Sequence, residues 1–260
     1  MLNNLASKVG RVWRLIGTAI CFLIFGLGGV VLSLLVIPLL FALQKNELKR
    51  QIISRRCIGG GFSLFIFLMK NLGVLSYEVR HAERLQNNTG TLIIANHPSL
   101  IDVVFLISFF PQAECVVKSA VTRNFFMRST ASAANYISNE HLLELLATCT
   151  DRLKQGANLV LFPEATRTVP GQPLQFKLGA AAVASRSGAT ILPIVIQCAP
   201  TTLTKGEPWY HIPRTRPHWV LEVLPPFRPP HLPEENVNSR QGIRELSQQL
   251  EELFEHALDH

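Results

Sequence analysis

This 260-residue chain has little charge: Asp, Glu, Lys and Arg make up only 17% of it, against 48% apolar residues. So greasy a balance is unusual for a chain surrounded by water on every side, and it directs attention to lipid. Cysteine pairing is also missing. The five cysteines (Cys21, Cys57, Cys115, Cys149 and Cys198) stand far apart, with no C-x-x-C among them. That scatter excludes a disulfide framework and a zinc ribbon, and it suits free thiols in a reducing compartment. Zinc-finger spacing and base-stacking aromatic motifs are absent, which removes the usual grounds for a nucleic-acid partner. No G-x-S-x-G occurs, so the elbow nucleophile of the α/β-hydrolases is excluded. Internal repeats and low-complexity segments are lacking too.

From Leu15 to Leu43 there are 29 residues without a charge. As a single helix it rises about 43 Å at 1.5 Å per residue, more than the roughly 30 Å hydrocarbon core of a bilayer. It must tilt, bend or break, and Gly26, Gly28, Gly29 and Pro38 are the expected places. A cleaved signal peptide has an apolar core of only about 7–15 residues, so an anchor is expected. Basic residues flank both ends: Lys8, Arg11 and Arg14 before, and Lys45, Lys49, Arg50, Arg55 and Arg56 after. The positive-inside rule then favours the C-terminal side as cytoplasmic, which predicts an inner (cytoplasmic) membrane protein with its larger part facing the cytoplasm. A re-entrant hairpin would satisfy both flanks. Residues 1–84 carry 11 Lys/Arg against 3 Asp/Glu, whereas the remainder is close to neutral. A basic excess confined to the apolar end points to an anionic lipid surface. The next apolar stretch, Phe62–Met69, follows Gly59-Gly60-Gly61 and ends at Lys70. Its length predicts an interfacial helix, with a buried core helix as the alternative.

Beyond residue 73 short strands and helices alternate. Val74–Arg80, Thr91–Ala95, Glu114–Lys118, Asn158–Phe162, Ile191–Gln197 and Trp219–Leu224 read as strands. Leu100–Phe110, Ala120–Arg128, Glu140–Gln155 and Leu178–Ser187 read as helices. This alternation predicts an α/β domain over 74–260, distinct from an N-terminal membrane anchor over 1–73. After the prolines at 225–226 and 229–230, Ile243, Leu246, Leu250, Leu253, Phe254 and Ala257 recur at helical spacing. Their opposite face is acidic, so this last helix is expected to pack on the domain.

Two segments carry chemistry. In Ala95-Asn96-His97-Pro98-Ser99-Leu100-Ile101-Asp102 an apolar strand ends and a helix begins. His97 falls on the connecting turn and Asp102 in the first helical turn, where the helix dipole favours negative charge. A carboxylate at one imidazole nitrogen fixes the tautomer and leaves the other nitrogen to accept a proton, as a general base for an alcohol must. Ser99 and Asp102 also have the spacing of a capping box, so a plain helix start is equally open on pattern alone, and the two readings are compatible. In Leu159-Val160-Leu161-Phe162-Pro163-Glu164-Ala165-Thr166-Arg167-Thr168 a strand stopped by proline delivers Glu164 and Arg167 to a loop. Arginine presents planar donors that match a phosphate. A surface salt bridge is the plainer alternative.

The first segment resembles the H-x4-D motif of the glycerolipid acyltransferases, the 1-acylglycerol-3-phosphate (lysophospholipid) acyltransferase family. Phe162–Thr168 resembles that family's F-P-E-G-T-R-[ST] block. Lys118 with Arg123-Asn124 is similar to its acceptor-binding block, and Ile191-Leu192-Pro193-Ile194 to its late, proline-centred block. The four occur in the family's order and spacing over about residues 75–200. The resemblance implies an αβα domain around a central mixed sheet, preceded by membrane-associated helices. It implies His97 as the base and Asp102 as its partner. Glu164, Arg167, Thr168, Arg123 and Lys118 are implied on the acceptor's glycerol-phosphate end. The implied donor is an acyl thioester, acyl-CoA or acyl-carrier protein, with neither metal nor bound cofactor, and the implied acceptor is a membrane lysolipid. Two departures bear on the acceptor. Ala165 replaces glycine, which penalises a positive φ at that turn. Asn135–Glu140 has no arginine where many members carry one. A hydroxylated lipid of another kind, or an inactive lipid-binding protein, are the alternatives. Lys177, His211 and His218 are weaker candidates, expected mainly to support loops. Ser99 and Cys198 lack the surroundings of a covalent nucleophile.

Overall fold

The computed structural model describes residues 2–119, 125–229 and 239–259. The charge-free run forms α1 (Leu2–Val31), which passes through one π-helical turn, Leu32–Val36, into α2 (Ile37–Leu43). Gly26, Gly28 and Gly29 do not break it. Each faces open space and brings only the ordinary penalty of about 1 kcal/mol for glycine in a helix. The irregularity falls just ahead of Pro38 instead, where the missing N–H and the ring disturb the preceding turn and a wider π turn absorbs the misfit. Asn46 then accepts the Lys49 N–H at 2.9 Å and starts α3 (Glu47–Asn71).

Phe62–Met69 is therefore not a separate short helix but the second half of a 25-residue one. The three glycines before it do not interrupt it. A Cβ on Gly59 would lie 2.6 Å from the Pro111 Cβ, whereas Gly60 and Gly61 meet nothing. Gly59 thus permits α3 to press its backbone on the turn at Pro111, and farther along the helix Phe65, Ile66 and Met69 are buried. Lys8–Leu43 and Glu47–Asn71 are each long and apolar enough to cross a membrane. Two of the basic residues flanking the apolar run are buried against protein groups. Arg14 donates to the carbonyls of Pro213 and Arg214 at 3.0 and 2.6 Å. Arg55 is buried, with Nη2 2.6 Å from Glu114 Oε1 and Nε donating to the Ala134 carbonyl at 2.8 Å.

Next come β1 (Ser76–Arg80), β2 (Thr91–Ala95), α4 (Asp102–Phe109), β3 (Glu114–Val117), α5 (Phe125–Ala133), β4 (Ile137–Ser138) and α6 (Leu142–Lys154). They are followed by β5 (Leu159–Leu161), α7 (Leu178–Ser187), β6 (Thr190–Ala199), β7 (His218–Val223) and α8 (Arg240–Leu258). The start of the helix expected over 120–128 lies outside the described residues. The strands form one sheet in the order β1-β7-β6-β2-β5-β3-β4. All neighbours run parallel except β6 and β7. β2 sits at the centre with all five residues buried, which is why it reads as an unbroken apolar run without alternation.

Helices cover both faces. Ile93 and Ala95 point to the side of α3 and α4, where Phe105, Leu106, Ile107 and Trp219 are buried. Leu92 and Ile94 point to the opposite side, against Ala181 and Val183 of α7 and Leu246, Leu250 and Phe254 of α8. The αβα arrangement and mixed sheet are those expected. Cys21, Ile58, Phe65 and Met69 belong to the same buried cluster as the first face, so the N-terminal helices and the sheet share a core. The outward side of α1 and α2 is different: Leu23, Leu27, Val31, Leu35, Leu39 and Leu43 are all exposed.

Candidate active site

β2 and β5 are parallel neighbours with Ile94 opposite Leu161. Three residues beyond each lie His97 and Glu164, so the sheet register brings together two turns 67 positions apart. The His97 N–H donates to Glu164 Oε1 at 2.9 Å, and the same oxygen accepts the Thr168 hydroxyl at 2.8 Å. The Thr168 N–H donates to the His97 carbonyl at 2.8 Å. Glu164 is buried, and burial pushes its carboxyl above the ordinary carboxylate range, against the lowering pull of the Thr168 and His97 hydrogen bonds. On the other side of the turn the Asn96 side-chain amide donates to the Ile196 carbonyl at 2.8 Å and accepts the Ile196 N–H at 2.7 Å.

The imidazole itself is held at two points. Nδ1 lies 2.9 Å from Asp102 Oδ2, and the ring stacks on Phe162 with centroids 4.2 Å apart at 22°. Asp102 is wholly buried and accepts two further hydrogen bonds, from the Ser99 N–H at 2.6 Å and the Ser99 hydroxyl at 2.5 Å. α4 begins at Asp102, so the carboxylate that meets the imidazole also ties down, through Ser99, the turn that leads into the helix. Trp219 Nε1 donates to Ser99 Oγ at 3.3 Å. A hydroxyl has one proton, so accepting from Trp219 directs the Ser99 proton to Asp102. With Nδ1–H turned to Asp102, Nε2 is the nitrogen left to take a proton, and the His97 side chain is 18% exposed.

The remaining expected site residues divide. Arg167 Nη1 donates to the carbonyls of Leu203 and Thr204 at 3.0 and 2.8 Å, while Nε and Nη2 make no hydrogen bond among the described residues. Lys118 is exposed just past the C-terminal end of β3, at the same end of the sheet. Arg123 lies outside the described residues. Lys177 precedes α7 and donates its N–H to the Pro163 carbonyl at 2.8 Å, bracing the loop after β5. His211 pairs with Glu207 at 2.5 Å, and His218 meets the Ser76 hydroxyl at 2.9 Å on the far side of the sheet. Burial pushes the Cys198 thiol up to about 12, which keeps it protonated and unsuited to nucleophilic attack. Asn96, Phe162 and Trp219 also shape the site and were not expected. The local pattern held no signal for the last, because its partner is 120 positions away.

Ala165 has φ 57°, the left-handed backbone in which alanine in place of glycine is costly. A Cβ in that region is penalised by roughly 1–2 kcal/mol, offset in part by the greater freedom of unfolded glycine. Ala165→Gly should therefore raise stability by about 1 kcal/mol, seen as a melting temperature about 2–4 °C higher. An unchanged or lower melting temperature would show that the turn relaxes around alanine at no cost.

The family profile described as Acyltransferase matches residues 76–197. The 1-acyl-sn-glycerol-3-phosphate acyltransferase of Helicobacter pylori is 31% identical over 112 residues, 40% of this chain and 47% of that protein. The protein of the same name from Pseudomonas aeruginosa is 31% identical over 135 residues, 50% of this chain and 52% of that protein. The chain spans about half the length, or less, of the curated relatives it matches. The crystal structure of the 1-acyl-sn-glycerophosphate (LPA) acyltransferase PlsC from Thermotoga maritima superposes with a TM-score of 0.66 at 20% identity, covering 94% of this chain and 97% of that one. That likeness establishes a shared fold. Both motif segments thus lie within residues 76–197, the part of this chain that is similar to the acyltransferases.

Proposed function

We propose that the protein is an O-acyltransferase that moves a fatty acyl group from an acyl thioester, acyl-CoA or acyl-carrier protein, to the hydroxyl of 1-acylglycerol-3-phosphate or a related lysolipid. The observation that carries this reading is the contact of His97 Nδ1 with buried Asp102 at 2.9 Å beside a partly open ring. In the proposed step His97 Nε2 takes the acceptor's hydroxyl proton as its oxygen attacks the thioester carbonyl. The ester bond forms, the C–S bond breaks, and the departing thiolate takes the proton back from the imidazolium. The thioester supplies the activation. Glu164 and Thr168 hold the two turns in register so that this imidazole keeps its place. The test is to present vesicles bearing the protein with a panel of lysolipids and acyl thioesters and read the products by mass spectrometry. Labelled acyl chains recovered only as free acid would mean hydrolysis and sink the proposal, as would no turnover of any thioester.

Lys118 and Arg167 are assigned to the phosphate end of the acceptor, Arg167 through the edge of its guanidinium not occupied by Leu203 and Thr204. Arg167→Ala should then lower activity about 10-fold or more with a phosphate-bearing lysolipid and far less with a phosphate-free one, since a hydrogen bond to a charged group is worth about 1.5–3 kcal/mol. Equal losses on both acceptors would instead make Arg167 a brace for the loop at 203–204. Ala165, the arginine-free turn at 135–140 and the engagement of Arg167 with two carbonyls favour, as a second reading, a lysolipid with another headgroup.

The apolar outer side of α1 and α2 is assigned to the bilayer, with the αβα domain on the cytoplasmic side. Because α1 is tied to the domain through Arg14, and α3 through Gly59 and Arg55, the hairpin enters the lipid together with its domain, from one surface.

A further inference from the structure

We propose that the loop between β6 and β7, residues 204–216, is a second contact with the bilayer, its aromatic tip seated among the headgroups of anionic glycerophospholipids. This rests on the assignment of the outer side of α1 to lipid. The loop leaves β6 at the end of the sheet where His97 lies. It is fixed to the site's rim by the Leu203 carbonyl, which accepts the Leu100 N–H at 3.0 Å and Arg167 Nη1 at 3.0 Å.

From there the loop crosses to α1. Trp209 lies against Phe22, centroids 6.1 Å apart, and Arg14 holds the Pro213 and Arg214 carbonyls. Between these attachments Trp209 and Tyr210 pack edge to face with each other and remain 41% and 61% exposed. Rings with a polar edge and an apolar body, exposed next to an apolar helix, match the headgroup layer of a membrane.

Charge selects the kind of lipid. Lys205, Arg214 and Arg216 are exposed on the loop, and Arg11 and Arg216 lie near enough to Arg14 to repel it. Arg14 is 9% exposed and its buried Nε has no hydrogen-bond partner among the described residues. The loop's one acidic residue, Glu207, is occupied by Thr204 and His211. Arg11, Arg214 and Arg216 meet no carboxylate among the described residues. A cluster of cations without counter-charges beside exposed aromatics is complementary to lipid phosphates, each basic residue adding about 1 kcal/mol near an anionic surface.

Tryptophan fluorescence of the full chain in vesicles tests this. The difference between wild type and Trp209→Phe isolates Trp209, and that between wild type and Trp13→Phe isolates Trp13 on α1. Both side chains are on the surface, so folding is not at risk. In phosphatidylglycerol vesicles with bromine at shallow acyl positions, the Trp209 signal should fall by roughly twofold or more and be shielded from acrylamide. Arg214→Glu combined with Arg216→Glu should restore much of it. Trp13 quenched and Trp209 unquenched would overturn the loop contact and leave the helical anchor standing. Neither quenched would overturn both. Equal Trp209 quenching in brominated phosphatidylcholine and phosphatidylglycerol would overturn the selection of anionic lipid.

Discussion

His97→Ala should leave the protein folded and lower acyl transfer by about 10²–10⁴-fold, the range that a positioned general base supplies. The two halves of that expectation come from different atoms. The bonds that tie the turn to its neighbours are made by the main chain of residue 97, its N–H to Glu164 and its carbonyl from Thr168. Alanine keeps both. What it loses is the ring, and with it the Asp102 contact and the Phe162 stack. Asp102 retains two donors from Ser99, so no buried carboxylate is abandoned. Substituting Asp102 is a poorer experiment, because that buried side chain also holds the Ser99 N–H and hydroxyl in the turn before α4. The measurement is thioester consumption by purified wild type and variant in matched vesicles, with melting temperatures beside it. Near-wild-type turnover by a folded His97→Ala protein would rule out the proposed chemistry.

The largest loss of stability is expected from Arg55→Met. Glu114 is 2% exposed and sits 2.6 Å from Arg55. Its other carboxylate oxygen lies 3.7 Å from Arg152 Nε, close enough to attract but too far for a hydrogen bond. Removing Arg55 strands a buried carboxylate and leaves the Ala134 carbonyl without the Arg55 donor, and breaking such a pair costs about 3–5 kcal/mol. Arg55→Met with Glu114→Leu removes both charges and should recover most of that loss. A drop of less than about 1 kcal/mol in the single variant, followed by thermal unfolding, would show that water reaches Glu114 and the pair is not sealed. The expected order of stability is wild type, then the double variant, then Arg55→Met.

Local patterns and tertiary contacts were legible to different degrees. β2 and α7 begin and end where the residue pattern predicts, and β1, β3, β5, β6 and β7 agree to within a few residues, because long apolar runs bounded by turn residues leave the backbone little choice. β4 escaped notice: two residues, Ile137 and Ser138, carry no periodicity, and they become a strand only by pairing with Val116 and Val117. The imidazole and Asp102 are five positions apart, so their meeting was open to inspection. The Glu164 link depends on β2 lying beside β5, which no local pattern states. Arg14 and Arg55 mark the reverse failure. In sequence they count as basic flanks of an apolar run, but their partners lie about 200 and 59 positions away, and only the packed chain shows that both are buried against protein groups.

Asn96 has a mechanical consequence. Its amide replaces a ladder bond on β6 just where β2 ends, while one residue later the main chain is pinned to the loop after β5. The His97 turn is thus suspended from both flanking strands, like a bridge deck hung from two towers. Neither strand can slide without carrying the imidazole along, so the ring travels with the sheet as one stiff piece. If the proposed lipid acceptor needs room to enter, that room must come from the surrounding segments, with the imidazole held in place.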